Sequence, residues 1–485
     1  MLSALCLPAA AEGNGEKDWT GYTPISSWGE LYTAMTGDAT KNYYLTEDIS
    51  INDEDSALKD LDQINLFANR SVLGTTESYY WNSSTDLADK GTAFTFKGIF
   101  DGNGHTIDFG NKSIHYSGYH NQKNGTTNGG FLFYQISGTV KNLNLIGINL
   151  DTIPTGGSQH GLLAANATGD YTIENVHVTG TYKKTGSNVN FGLVGRQSGD
   201  VTGSIKNCSM SIVATGDNES DNFAGFVGSV SKGSVSFENC VVTGSVTTEG
   251  KAAGLVGNFG STTGTMTAKN CVNLATLAGG TTGAFVASGE ATVNNCIDLS
   301  ATGAFDVLTG ARIRLSSGEN AAQKSGIRYD VAISEEMIAA LEAAGCTVKF
   351  GSLVWATDAT PGYALTAEAM KASGKAYSEK IFDKQAAGLR GTLPNETQDG
   401  TCYGYTVALT NITNTEKAYS CRAFIDLTFT DGSTVRIYTD YNATENSRCV
   451  KAIATAAWED HSDPNTDTNY SGYEALLKTL AGIAE

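Results

Sequence analysis

A parallel β-solenoid followed by a smaller α+β or β-sandwich-like domain is the mainly β fold that this sequence predicts. Three observations carry the prediction. Two short landmarks recur along the middle of the chain with one period. Apolar residues alternate between them. The composition favours turns and short strands, with 56 Gly and 6 Pro in 485 residues and only 17% charged residues.

The first landmark is a Gly followed by apolar residues, at Gly130, Gly161, Gly192, Gly225, Gly254 and Gly283. The second is an Asn followed by an apolar or thiol residue, at Asn142, Asn175, Asn207, Asn239, Asn270 and Asn295. Between them Val140, Leu143 and Leu145, then Ile173, Val176 and Val178, then Val235 and Phe237, mark strands by their alternation. A unit of roughly 30 residues holding two or three short strands cannot bury its own apolar face, whereas stacked units can. The Asn is expected at one corner of each coil, where stacked amides bond to one another and to the turn. The next residue then points inward, placing Leu143, Val176, Cys208, Cys240, Cys271 and Cys296 in one internal column. The repeating Gly is expected at a tight corner where a Cβ is costly.

Gly192-Leu193-Val194-Gly195 with Asn207-Cys208, and Gly254-Leu255-Val256-Gly257 with Asn270-Cys271, resemble the GLUG-motif repeats of bacterial surface proteins. Phe96 to Ile107 looks like the entry segment of such repeats. Ile25 to Leu31 and Tyr43 to Ile49 look like the opening helix and first strand. Ser27-x-x-Glu30 is also a capping box, which independently starts a helix there. The resemblance covers roughly residues 22–310 and departs from the pattern at Asn52 to Thr95, a longer link than such proteins use. It implies a right-handed parallel β-helix in an exported protein of Gram-positive bacteria, adhesin-like or a passive wall component, with no established chemistry.

The chain divides into five parts. Residues 1–12 read as a signal-peptide remnant, with apolar Leu2 to Leu7 before Ala9-Ala10-Ala11. Residues 13–95 form an N-terminal cap and first strands with the long insertion, and 96–315 the β-helix. Residues 316–325 are a polar linker, and 326–485 a C-terminal α+β module. In that module Glu335 to Ala344 and Ser447 to Ala454 read as helical. Tyr405 to Ile412 and Cys421 to Ile425, with the Asp431-Gly432 turn, read as antiparallel hairpins. This series resembles a module attached to many Gram-positive exported proteins. No run of about 18 apolar residues spans a membrane, and the signal-peptide reading of residues 1–12 makes a secreted or cell-surface location the expectation. The net charge of −19 argues against a nucleic-acid partner. A monomer is expected.

There are nine Cys and no C-x-x-C pair, which disfavours zinc and thioredoxin-type chemistry. The four column cysteines are expected as buried free thiols. Cys402 and Cys421 are either free or bridged across neighbouring strands, and Cys346 and Cys449 carry no assigned state.

Glycoside hydrolysis needs two carboxylates roughly 5–10 Å apart, and the acids of the repeats fall mostly at turns. Asp101 and His105 are read as turn residues. No Ser-His-Asp set or phosphate loop is present, and no catalytic residue is assigned. Two constellations remain. Tyr79, Tyr80, Trp81, Tyr116 and Tyr119 either stack on a sugar or plug the open end of the solenoid. Asp463, Asn465, Asp467, Asn469 and Glu474 match the spacing of a calcium loop, although Thr468 stands where such a loop has Gly. The alternative is a polar linker with Glu474 at a helix start. No other cofactor is expected. The expected role is non-enzymatic display or adhesion toward a glycan or cell-surface protein. The alternatives are a β-helix polysaccharide lyase or glycoside hydrolase, and a passive spacer.

Overall fold

The computed structural model describes residues 3–4, 17–67, 70–71, 95–117, 129–130, 132–153, 157–300, 310–357, 366–367, 370–371, 376–382, 389–390, 402–439, 446–461 and 472–483. These form two compact units, Lys17–Ala304 and Phe305–Glu485 together with Met1–Glu16.

The first unit is a parallel β-solenoid. It opens on the strand Tyr22–Ile25 and the helix Trp28–Thr36. Ser27 caps that helix as its sequence implies, its Oγ accepting the Glu30 amide at 3.2 Å. The Glu30 carboxylate closes the box one residue early, on the Ser26 amide at 2.7 Å, while Asp53 accepts the Trp28 amide at 3.1 Å. Trp28 then packs edge-on to Phe109, 5.7 Å between ring centres.

Beyond the helix every pairing among the described residues of this unit is parallel. Phe100, Val140, Ile173, Ile205, Phe237 and Ala268 stand in direct register from layer to layer, all buried. A second parallel sheet closes the tube, running through Ser158–Ala167, Val189–Gln197 and Asn222–Ala224 to Lys251–Ala253. The hydrophobic cluster between the sheets is the main source of stability, since apolar burial contributes about 25 cal/mol per Å².

The six repeat Asn residues turn the corners in the left-handed conformation, with φ of 53°, 54°, 53°, 55°, 54° and 51° from Asn142 to Asn295. Asn tolerates this region better than other non-Gly residues because its short amide bonds locally. Here it also bonds between layers: Asn175 donates to Asn142 at 3.1 Å and Asn239 to Asn207 at 2.9 Å. The residue after each Asn points inward, and all four cysteines are free thiols, but only Cys208, Cys240 and Cys271 are buried as expected, Cys296 in the last layer being half-buried. Each thiol donates to the carbonyl of the residue before its corner Asn, Lys206 at 3.0 Å and Glu238 at 3.4 Å for the first two.

The repeating Gly is required for a different reason. Gly192, Gly225 and Gly254 have no positive φ. A Cβ on Gly192 would stand 2.7 Å from the Phe226 carbonyl oxygen, and one on Gly225 2.5 Å from that of Gly254. The next coil simply passes too close.

The second unit holds two antiparallel sheets. In the first, Gly326–Ser334 lies between Gly310–Arg314 and Cys402–Thr410. In the second, Thr347–Ala356 lies between Tyr377–Phe382 and Ala418–Thr428, which pairs onward with Thr434–Tyr438 around the Asp431-Gly432 turn. Tyr405 joins the sheets face to face, donating to the Gly351 carbonyl at 2.5 Å and meeting Ser352 Oγ at 2.9 Å.

The structure alters the expected linker, its boundary and one helix start, and closes the alternative left open for Cys402 and Cys421. The polar stretch 316–325 is the connection of a hairpin, because Gly310–Arg314 pairs with Gly326–Asp330, and Ala321–Lys324 is helical. The boundary expected at 315 therefore falls within the second unit. Cys421 is a free buried thiol, and Cys402 stands in the other sheet opposite Ser334, so the two are not bridged. Ser447–Cys449 is a short strand before the helix Val450–His461. Within 1–12, Ser3–Ala4 pairs parallel with Val407–Ala408.

Candidate ligand-binding face

Tyr79, Tyr80, Trp81 and Tyr119 lie outside the described residues, as do Asp463, Asn465, Asp467 and Asn469. Tyr116 belongs to the strand Ser113–Ser117, in register between Leu66 and Thr152. Glu474 opens the helix Glu474–Ala481 and accepts the Gly472 amide at 3.2 Å, while the N-cap residue Tyr473 makes no side-chain cap bond. Among the described residues no group of three His, Cys, Asp or Glu is placed to hold a metal ion.

The structure brings together a different aromatic set at the head of the solenoid. Trp19 stacks on Tyr44, centroids 4.0 Å apart and planes 9° from parallel, and Tyr22 meets both edge-on at 5.4 and 6.5 Å. All three rings are half-buried. Tyr44 faces outward because its strand neighbours Tyr43 and Leu45 fill the core. Lys17 lies 5.5 Å over the Trp19 ring and bonds Asn103 Oδ1 at 2.8 Å. Asp18 beside them is held below the usual carboxylate range by its bonds from Thr20. A cavity of about 560 Å³ lies between the first helix and its neighbouring strands, lined by Thr23, Glu30, Asp38, Lys41, Tyr43 and Asp55 among others, and none of the three rings lines it.

Tyr44 is also the first member of an outward file. It pairs with Asp101, and the file continues through Lys141, Glu174, Lys206, Glu238 and Lys269 to Asn294, one residue per layer with the charge alternating throughout. Lys141 lies 3.4 Å from Asp101, and Lys206 3.4 Å from Glu238. Two residues away runs a parallel file of hydroxyls: Thr139, Thr172, Ser204, Ser236, Thr267 and Thr292. Rings, ammonium groups, carboxylates and hydroxyls thus share one outer face. Such a face can stack on an apolar sugar surface and bond its hydroxyls.

Two arrangements bear on catalysis. Acids of the charge file are two layers apart, roughly 9–10 Å at the usual strand spacing, with a lysine between each pair. Asp101 is buried against Lys141, Glu238 is half-buried against Lys206 and Glu174 is exposed, so none has the unpaired apolar setting that keeps a general acid protonated. Beyond the corner, His177 Nε2 is 3.1 Å from Asn175 Oδ1 and Nδ1 is 2.8 Å from Ser209 Oγ. An amide oxygen only accepts, so Nε2 carries the hydrogen towards Asn175, and Nδ1 is left facing the Ser209 hydroxyl. Asp101 and His105 do serve the turn: Asp101 accepts the Asn103 amide at 2.8 Å, and the His105 amide bonds the Gly102 carbonyl at 2.7 Å.

Sequence reading passed over both the rings and the charge file. Trp19 and Tyr22 are near neighbours in sequence, but Tyr44 reaches them only because its strand pairs beside Tyr22–Ile25. The file was legible, since each of its charged members from Lys141 onward immediately precedes a corner Asn.

No family model matches the chain, and no curated protein does. Among solved structures, one from Bacteroides ovatus named "putative immunoglobulin A1 protease" is similar with a TM-score of 0.34 at 16% identity, over 60% of this chain and 87% of that one. Likeness at that level carries no argument about function. No helix among the described residues is long and apolar enough to cross a membrane.

Proposed function

We propose that this chain is a non-enzymatic exported binding protein, adhesin-like in role, that takes a glycan along the outer face of its first sheet. The observation that supports this reading is the Trp19–Tyr44 stack, half-exposed at the head of the charge and hydroxyl files. A rigid aromatic pair contributes contact area at little entropic cost, and the polar files beside it supply bonding partners for sugar hydroxyls.

The test is a glycan array with the intact chain, followed by calorimetry on Trp19→Ala and Tyr44→Ala. Each ring is expected to contribute on the order of 1 kcal/mol, about fivefold in affinity, with the melting midpoint little changed. Unaltered affinity in the double variant, or no glycan bound by the intact chain, would refute the reading and favour a passive spacer.

A hydrolytic reading has one observation behind it, the Asn175–His177–Ser209 relay, in which the imidazole is oriented to take the hydroxyl proton. Labelling of Ser209 by a fluorophosphonate, abolished in His177→Ala, would favour it over binding.

A further inference from the structure

Lys184, the last residue of the strand Tyr171–Lys184, has a fully buried side chain, and so does Asp221. Nζ lies 2.8 and 2.9 Å from the two Asp221 carboxylate oxygens. A second carboxylate, Asp217 Oδ1, stands 3.1 Å from the same Nζ and is partly open to solvent. Asp221 Oδ1 accepts the Val189 amide at 2.8 Å, and Oδ2 accepts the Thr248 hydroxyl at 3.0 Å. A Cβ on Gly216 would stand 2.6 Å from Oδ2 and 2.7 Å from the Phe223 ring, so no space is left there. Burial pushes the Asp221 carboxyl above its usual value. In a dry site, moving one proton from Nζ to the carboxyl replaces two costly charges by a neutral amine and a neutral acid.

We propose that Lys184 and Asp221 condense into an intramolecular amide that ties two successive coils covalently, with Asp217 as the proton carrier. The neutral Nζ attacks Cγ of the protonated Asp221. Val189 N–H holds the oxyanion that develops on Oδ1, in the manner of an acyl-transfer site. Asp217 takes the remaining surplus proton from Nζ and delivers it to Oδ2, which leaves as water. The N–C bond forms, one C–O bond breaks, and Asp217 is regenerated as a carboxylate. Burial holds the reacting atoms together and excludes the water that would favour hydrolysis. The contrast is Lys206–Glu238, an ion pair 46% and 39% exposed, where solvent keeps both charges stable and no condensation is expected.

Mass spectrometry of the purified full chain tests this directly. The expected result is a branched tryptic peptide joining Lys184 and Asp221, lighter by one water than its two components. Lys184→Arg keeps the charge but is expected to yield both peptides linear and at full mass. Asp217→Asn, a change at a partly exposed site, is expected to slow or abolish the water loss. Linear Lys184 and Asp221 peptides in the wild-type protein after prolonged incubation would overturn the proposal. So would a water loss that maps to other residues or persists in Lys184→Arg.

Discussion

Lys206 Nζ stands 3.4 Å from Glu238 Oε2, one layer away in direct register. The same opposition repeats along the file from Asp101 to Lys269, so every interior charge has an opposite neighbour on both sides. A slip by one layer would set like against like along the whole face. The file therefore specifies register more than it stabilises, as exposed ion pairs contribute little individually.

Lys206→Glu would place three carboxylates in a row, from Glu174 through position 206 to Glu238. Like charges directly opposite cost up to about 1 kcal/mol per contact. We expect a loss of about 1–2 kcal/mol in urea denaturation at low salt, shrinking markedly at roughly 0.5 M salt as screening takes over. Lys206→Met should lose less. A loss that ignores salt would mean that packing, rather than charge, sets the effect.

The corner at Asn239 makes a sharper case. Its φ is 55°, and its amide donates to Asn207 and accepts from Asn270. Asn239→Ala suffers left-handed strain of about 1–2 kcal/mol and forfeits the interlayer bonds. Asn239→Gly forfeits the bonds alone. The expected losses are about 2–3 kcal/mol for Ala and about 1–2 kcal/mol for Gly. Equal losses would show that the conformation is not what selects Asn.

Whatever recurs with the layer spacing was legible in the sequence. The Asn corners, the inward cysteines and the parallel stacking follow from one constraint that each coil must meet again. What depends on a single long-range meeting was not. Nothing local to Trp19 announces Tyr44, and nothing local to Tyr405 announces the Gly351 carbonyl. The connection 316–325 of the Gly310–Asp330 hairpin reads as a linker in the sequence because it is polar and carries Gly318, as both a linker and a turn would. The buried Lys184 was invisible for a similar reason: Lys183-Lys184 reads as solvated charge until the register turns Lys184 inward.

Gly254 and Gly432 separate two uses of glycine. A Cβ on Gly254 would strike the Ala284 carbonyl oxygen and come within 3.0 Å of the Asn273 amide oxygen. Gly432 has φ 82° with open space around it. Gly254→Ala is expected to cost about 2–3 kcal/mol through overpacking, with no rescue from Asn. Gly432→Ala should cost about 1 kcal/mol from conformation alone, most of it recovered by Gly432→Asn. Rescue at Gly254 by Asn would show that its constraint is dihedral rather than steric.

Cys421 links burial to alkaline stability. It sits in the centre of Ala418–Thr428, opposite Val354, and burial pushes its thiol from 9.0 up to about 12. A thiol raised in the fold keeps its proton where the unfolded chain releases it, so its contribution is complete below pH 9 and is lost as pH rises toward 12. The loss approaches roughly 4 kcal/mol across that window and about 2 kcal/mol by pH ~10.5. Tyr405, also raised by burial, steepens the decline in the same direction. Cys421→Ala removes only the thiol's part. Its denaturation midpoint should start lower at pH ~8, because a small cavity opens, yet fall less steeply between pH ~9 and ~11. Parallel slopes for the two proteins would mean that Cys421 reaches solvent before the sheet unfolds.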